Sequence, residues 1–346
     1  MEARRVQQAG RRKKQHTMAD VARAAGVSKS TVSRAFTQPE MLGTETVERI
    51  AAIAKTLGYV PNHTARALST GRHGNLALIV TDVANPFFPP LIRAAQMEAD
   101  GSDFCVFLGN SDENPRQEDK LVDRFVSQVE GLILVGSRLG AERIQHHAGR
   151  RPLVLINREV TGIPRVLIDS TTGVRQAIAH LAALGHRHIV YVSGPSSSWA
   201  NRQRRNALRL AARQHGIEVD VLSARVPSYE SGRAVVAELI ESRATAAVAF
   251  DDLIAQGIMT GMAERGIPIP EAFSLVGCDD VLGAATYPSL TTVSNRSDEA
   301  GRAGVTLLLD RLSGRMAGDT RVVLDTHLVV RQTTAAPASG QRRQGG

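Results

Sequence analysis

Residues 28–34 read Ser-Lys-Ser-Thr-Val-Ser-Arg, which places two cations and four hydroxyls within seven positions. On a helix, Val32 and Ala35 lie three apart and turn inward, so Lys29, Ser30, Ser33 and Arg34 share the outward side. Such a face forms charge-assisted hydrogen bonds to phosphate oxygens and meets base edges in a major groove.

The flanking residues supply the elements that position this face. Thr17 caps a preceding helix, and Asp20 completes a capping-box spacing that puts a carboxylate at the positive helix end. Val21 and Ala25 give that helix its apolar side, Gly26 allows a sharp turn, and Ser28 caps the second helix. Val47, Ile50, Ala54 and Leu57 recur at helical spacing before Gly58, so a third helix closes a small core. An ordinary helical hairpin is the competing reading; the caps, the turn and the basic face together favour a DNA-reading helix-turn-helix.

Charge is distributed to match. The 346-residue chain carries a formal +8, and residues 1–72 hold 13 Lys and Arg against five Asp and Glu, so the remainder is neutral. A basic head on a neutral body concentrates the attraction for phosphate at the head. Arg4, Arg5, Arg11, Arg12, Lys13 and Lys14 form a basic tail over residues 1–16, expected to be disordered when free.

From residue 75 the chain alternates short apolar runs, at 76–80, 104–108, 131–135, 165–168, 189–194, 219–226 and 246–250, with helical segments. That rhythm predicts an α/β body of two similar lobes, each a parallel sheet flanked by helices. In such sheets ligands bind beyond the carboxyl ends of the strands, which directs attention to Asp82, Asn85, Asn157, Asp169, residues 196–201, Asp251, Asp252 and Asp279. Cys105 and Cys278 are the only cysteines, too few for a disulfide framework. No nucleophile elbow, phosphate-cradling loop, dinucleotide fingerprint or His-Glu-x-x-His zinc motif occurs, so no enzyme, cofactor or metal is expected. The pairs His146/His147 and His186/His188 read as exposed loop residues. The basic N-terminus lacks a signal peptide's apolar stretch, and no run of about 18 apolar residues spans a membrane. The expectation is a cytoplasmic protein without membrane contact.

Residues 17–72 resemble the headpiece of the lactose-repressor (LacI) family, whose pattern stands here as DVA, AGVS, TVSR, LGYVPN and ARAL. The likeness continues to about residue 333 through Asn85-Pro86-Phe87-Phe88, Ile168-Asp169, residues 184–189 (LGHRHI), residues 276–280 (VGCDD) and residues 288–292 (PSLTT). The resemblance implies a transcriptional regulator, most often a repressor, that grips a pseudo-palindromic double-stranded operator as a homodimer. It implies a helix-turn-helix domain over 17–62, a hinge helix and linker over 63–74, an effector-binding and dimerisation domain over 75–333, and a tail from 334 to 346 expected to be disordered. Lobe one would take 75–165 and 293–319, lobe two 166–292 and 320–333, with three crossing segments between them.

Position by position, Lys29 and Ser30 match the residues that choose bases, and Ser28, Thr31, Ser33 and Arg34 match those that bond phosphates or base edges. Thr17, Asn62 and Arg66 complete the candidate DNA-binding set, and Leu68 matches the hinge leucine that wedges into the minor groove. Gly43 and Val47 depart from the family pattern, where a capping serine and a basic residue are usual. For the small-molecule effector the candidates are Asp82, Asn85, Trp199, Asn201, Arg204, Asp252 and Asp279. A guanidinium and a carboxylate suit vicinal hydroxyls and an indole stacks on a sugar face, so a carbohydrate is expected. Cys278 replaces the usual aromatic, and Ala207-Leu208 the usual Gly-aromatic pair, so the effector's identity is not inherited. A cytoplasmic sugar-binding protein and a nonspecific DNA binder remain as alternatives.

Overall fold

The computed structural model describes residues 16–59, 74–316 and 318–338. The basic tail before residue 16, the hinge segment with Asn62, Arg66 and Leu68, and residues 339–346 lie outside the described residues. The chain divides into two compact units, Met1–His73 and Gly74–Gly346.

The first unit holds α1 (Met18–Ala25), α2 (Lys29–Thr37) and α3 (Thr44–Leu57), with a 3₁₀ turn at Pro39–Met41. Val21, Ala25, Val32, Ala35, Ile50 and Ala54 form its core, with Tyr59 packed in and its ring centroid 6.1 Å from that of Phe36. Gly26 ends α1 at φ +66°, a left-handed conformation in which a Cβ would be strained, so the chain re-enters a helix only three residues later.

The second unit is built on two six-stranded sheets. The first contains β1 (Asn75–Val80), β2 (Cys105–Asn110), β3 (Gly131–Val135), β4 (Leu153–Ile156), β5 (Arg165–Asp169) and β11 (Arg321–Asp325), ordered β11-β5-β4-β3-β1-β2 with all pairs parallel. The second contains β6 (His188–Ser193), β7 (Glu218–Ser223), β8 (Ala246–Ala249), β9 (Ser274–Cys278), β10 (Thr291–Val293) and β12 (Leu328–Val329), ordered β12-β10-β9-β8-β6-β7. Only β12 runs antiparallel there among the described strands.

Helices α4 (Phe88–Asp100) and α12 (Ser297–Leu312) cover one face of the first sheet, and α5 (Pro115–Phe125) and α6 (Ala141–Ala148) the other. On the second sheet, α7 (Thr171–Leu184) and α8 (Trp199–Gln214) lie on one face, while α9 (Tyr229–Ala234), α10 (Val236–Glu241) and α11 (Asp252–Ala263) lie on the other. The central strands such as β3, β4 and β8 are buried on both faces and therefore read as continuous apolar runs.

The lobe boundaries expected from the sequence need correction. Strand β5 pairs with β4 and β11 in the first sheet, so the first crossing follows Asp169, not residue 165, and the last follows Asp325, not residue 319. Apolar runs in series announce strands but not which sheet takes them. The chain crosses near Ser170, Ser294 and Thr326, and these crossings are tied together: Thr326 Oγ1 donates to Asp169 O (3.0 Å), Ser294 N to His327 O (2.7 Å) and His327 N to Ser294 Oγ (2.9 Å). A Cβ at Gly173 would lie 2.3 Å from Val293 Cγ1, so α7 sits against this junction only because position 173 is glycine.

The tail expected to be disordered from 334 begins ordered. Ser274 Oγ exchanges 3.0 Å hydrogen bonds with the Ala335 backbone, and His180 Nε2 meets Thr334 Oγ1 at 2.9 Å. His147 and His186 also differ from the expected exposure. His147 is buried on α6 with Nε2 2.7 Å from Asp119, and His186 is buried between Thr245 and the Ala335 carbonyl. Burial lowers the pKa of both rings.

Candidate functional site

In the first unit, the capping pattern at α1 is made by Asp20, whose Oδ2 accepts from Thr17 N (3.0 Å) and Thr17 Oγ1 (2.8 Å). Those two bonds hold the Asp20 carboxyl below its ordinary pKa. Ser28 caps α2 by accepting from Thr31 N at 3.1 Å, and its hydroxyl also meets those of Ser30 (2.6 Å) and Thr31 (2.8 Å). Lys29, Ser30 and Arg34 are exposed, Thr31 and Ser33 half-buried, and Val32 and Ala35 buried. The α2 face is thus polar and basic, fixed against α1 and α3 by its apolar side. Gly43 starts α3 without a side-chain cap, and Val47 is half-buried.

In the second unit, the carboxyl ends of the two sheets line one cavity. Asn85, Phe87, Phe88, Glu113, Arg138 and Asn157 approach from the first sheet; Ser198, Arg204, Phe250, Asp251 and Asp279 approach from the second. Arg204 is buried and bonds in three directions: Nη2 to Asp279 Oδ1 (2.6 Å), Nε to Ser170 Oγ (3.3 Å) and Nη1 to the Phe250 carbonyl. Its guanidinium carbon lies 4.9 Å from the Phe250 ring centroid, a cation–π geometry. Burial alone would lower its pKa, but the Asp279 carboxylate outweighs that and holds it above the usual value.

Asp251 caps α11, its Oδ1 accepting from Ile254 N at 2.9 Å, while Oδ2 accepts from Asn85 Nδ2 at 3.0 Å. That bond joins the two lobes across the cavity. Burial, then the neighbouring Asp279 charge, pushes the Asp251 carboxyl up to about 7. On the first-sheet side, Arg138 forks onto Glu113, with Nε to Oε2 2.6 Å and Nη2 to Oε1 2.9 Å, while Nη1 donates to Gly136 O at 2.6 Å.

Glu113 (φ +57°), Asn157 (φ +51°) and Asp279 (φ +104°) all have left-handed backbones, as do Asp112 and Asp280 beside them. Such conformations cost side-chain-bearing residues about 1–3 kcal/mol and concentrate at binding sites.

Residues 17–62 match the family model described as "Bacterial regulatory proteins, lacI family", and residues 178–334 match a "Periplasmic binding protein-like domain". The HTH-type transcriptional repressor CytR of Escherichia coli K12 is 30% identical over 329 residues, covering 92% of this chain and 96% of its own. This chain belongs to the LacI family.

Among solved LacI-family structures, the lac repressor dimer bound to operator and the anti-inducer ONPF matches with TM-score 0.84 at 25% identity, covering 93% of this chain and all of that one. The transcriptional regulator CelR in complex with cellobiose matches with TM-score 0.69 at 28% identity over 92% of this chain and all of its own. The family is one of transcriptional regulators, not enzymes. No helix among the described residues is long and apolar enough to cross a membrane.

Of the effector candidates, Asn85, Arg204 and Asp279 line the cavity together, and four others do not. Asp82 is turned to the Ala84 amide (2.9 Å), closing its own turn. Trp199 is buried at the start of α8, between the lining residues Ser198 and Ala200, and does not itself line the cavity. Asn201 is fully engaged by the Tyr191 hydroxyl (2.8 Å) and by the backbone of Gly194 and Pro195. Asp252 accepts from Thr292 Oγ1 (2.6 Å), Val281 N (3.0 Å) and Leu282 N (3.3 Å), clamping β10 and the loop after β9 to α11. Burial raises it too, to about 7.

Glu113 and Arg138 stand in the cavity although the sequence reading does not single them out, as does Asp251, which is among the strand-end residues but not the effector candidates. Each follows the carboxyl end of a strand, β2, β3 and β8 respectively, so the strand-end rule held the signal.

Proposed function

We propose that this protein is a cytoplasmic transcriptional repressor that binds a pseudo-palindromic double-stranded operator as a homodimer, under control of a carbohydrate-type effector held in the cleft of its second unit. The observation that carries this reading is one chain joining a capped, outward-basic α2 to a cleft whose buried Arg204–Asp279 pair faces Asn85 and Asp251.

Lys29 and Ser30 read bases, and Ser28, Thr31, Ser33 and Arg34 hold the backbone, with Thr17 at the α1 terminus. Asn62 and Arg66 add contacts, and Leu68 wedges the minor groove. Opening or closing the cleft changes the geometry at the crossing segments, and a coupling of about 1–3 kcal/mol to operator binding is typical of such linkage. The complex of the relative CelR with cellobiose supports a carbohydrate ligand for this cleft.

The test is to titrate a labelled operator complex of the full chain with pentoses, hexoses, disaccharides and nucleosides. A saturable change in operator affinity with at least one of them supports the reading. An unchanged affinity throughout contradicts effector control.

A further inference from the structure

We propose that Glu113 and Arg138 form a second polar anchor for the effector, on the lobe opposite Arg204 and Asp279, and that the ligand held between the two pairs is an uncharged, polyhydroxylated molecule and not a sugar phosphate or sugar acid. The proposal rests on the cleft being the effector site.

The charged residues lining the cavity are Glu113, Arg138, Arg204, Asp251 and Asp279. Both guanidinium groups are already neutralised by a carboxylate at 2.6 Å, one within each lobe. The N-terminus of α11, which would otherwise attract an anion, is occupied by its own cap, Asp251. The five groups therefore sum to zero with Asp251 protonated and to one negative charge with it ionised. Among the residues lining the cavity, a phosphate or carboxylate entering this space meets no cation without a carboxylate partner, and two or three fixed anions.

Hydroxyl groups meet a different surface. A guanidinium carries five N–H donors, and the bonds found at Arg138 and Arg204 use three each, leaving donors for hydroxyl oxygens. The Glu113 and Asp279 carboxylates accept from hydroxyl hydrogens. Each pair thus offers donor and acceptor side by side, the arrangement adjacent hydroxyls require. Arg138 and Glu113 are nearly buried, at 6% and 17% side-chain exposure, so their bonds to a ligand form away from bulk water.

The experiment uses calorimetry on the full chain with matched pairs: ribose against ribose 5-phosphate, glucose against glucose 6-phosphate and gluconate, together with cellobiose, sorbitol and uncharged nucleosides. The expected result is that a neutral compound binds and its phosphorylated or acidic counterpart binds at least about tenfold more weakly. Glu113→Gln and Arg138→Lys should each weaken the neutral compound about tenfold or more, the loss expected of hydrogen bonds to charged groups. Thermal melting of each variant checks its fold, and the wild-type comparison stands without them.

Tighter binding by the phosphate or acid overturns the proposal, as does undiminished binding in folded variants. Silence across all compounds also overturns it, and operator binding measured on the same sample then separates loss of the effector reading from loss of the DNA-binding one.

Discussion

Asn85 and Asp251 lie 166 residues apart in sequence, yet the Asn85 side-chain amide donates to the Asp251 carboxylate at 3.0 Å across the cleft between the two sheets. Asn85 is itself fixed by the Phe87 amide, and Asp251 by the first turn of α11, so each partner is held by its own lobe. Asn85→Ala removes this bond and leaves a buried carboxylate oxygen unpartnered, at a cost of about 1–3 kcal/mol. The expected outcome is a lower denaturant midpoint for the second unit and weaker coupling between effector and operator; an unchanged midpoint would show that the bond holds nothing.

Stability should depend on pH through Asp251. Its folded pKa, about 7, is raised above the ordinary value of about 3.9, so the native state binds the proton more tightly than the unfolded chain. The native state is favoured most below about pH 4, and that advantage is lost as pH rises toward 7. Asp251→Asn removes this contribution, so the wild-type-minus-variant difference in melting temperature should fall steadily across that window. A flat difference would contradict the assignment.

Arg204 and Asp279 form a buried pair, and removing one partner strands the other's charge. Arg204→Met should destabilise the second unit by about 3–5 kcal/mol. Adding Asp279→Leu should recover part of the loss, a signature that chemical unfolding of both variants and the double mutant would reveal. Equal and additive losses would mean that the two residues act separately.

Much of this was legible in the residues. Thr17, Asp20, Gly26 and Ser28 announce the turn between α1 and α2 because caps and left-handed turns are local chemistry. Arg204, Asp279 and Asn85 followed from the family likeness together with the strand-end rule. Trp199, Asn201 and Asp252 do not line the cavity, because a polar or aromatic residue after a strand serves equally well to tie a loop or cap a helix. Which use wins depends on partners such as Tyr191, Thr292 and Val281, brought in by the tertiary fold. Placing β5 in the first sheet likewise required its hydrogen-bond partners β4 and β11.

In the first unit, Ser28→Ala deletes the α2 cap and should cost about 1 kcal/mol of headpiece stability together with operator affinity. Gly43→Ser runs the other way. Nothing lies within 4 Å of a Cβ built at Gly43, and a serine there supplies the cap α3 lacks, worth a few tenths of a kcal/mol. Thermal unfolding of the two variants should move in opposite directions.

Lys29→Ala should change which bases are preferred more than how tightly phosphate is held, because Lys29 is exposed at the first turn of α2. Binding measured against single-base operator variants would show relaxed discrimination at one or two positions per half-site. A uniform loss across all variants would make Lys29 a phosphate contact instead.

The most direct test of the account is selection of bound duplexes from a random DNA library with the full chain, followed by the affinity of the winner against salt. The account predicts one enriched site with dyad symmetry, bound far more tightly than random DNA at the same salt concentration. An absence of enrichment, with affinity set by salt alone, would contradict it.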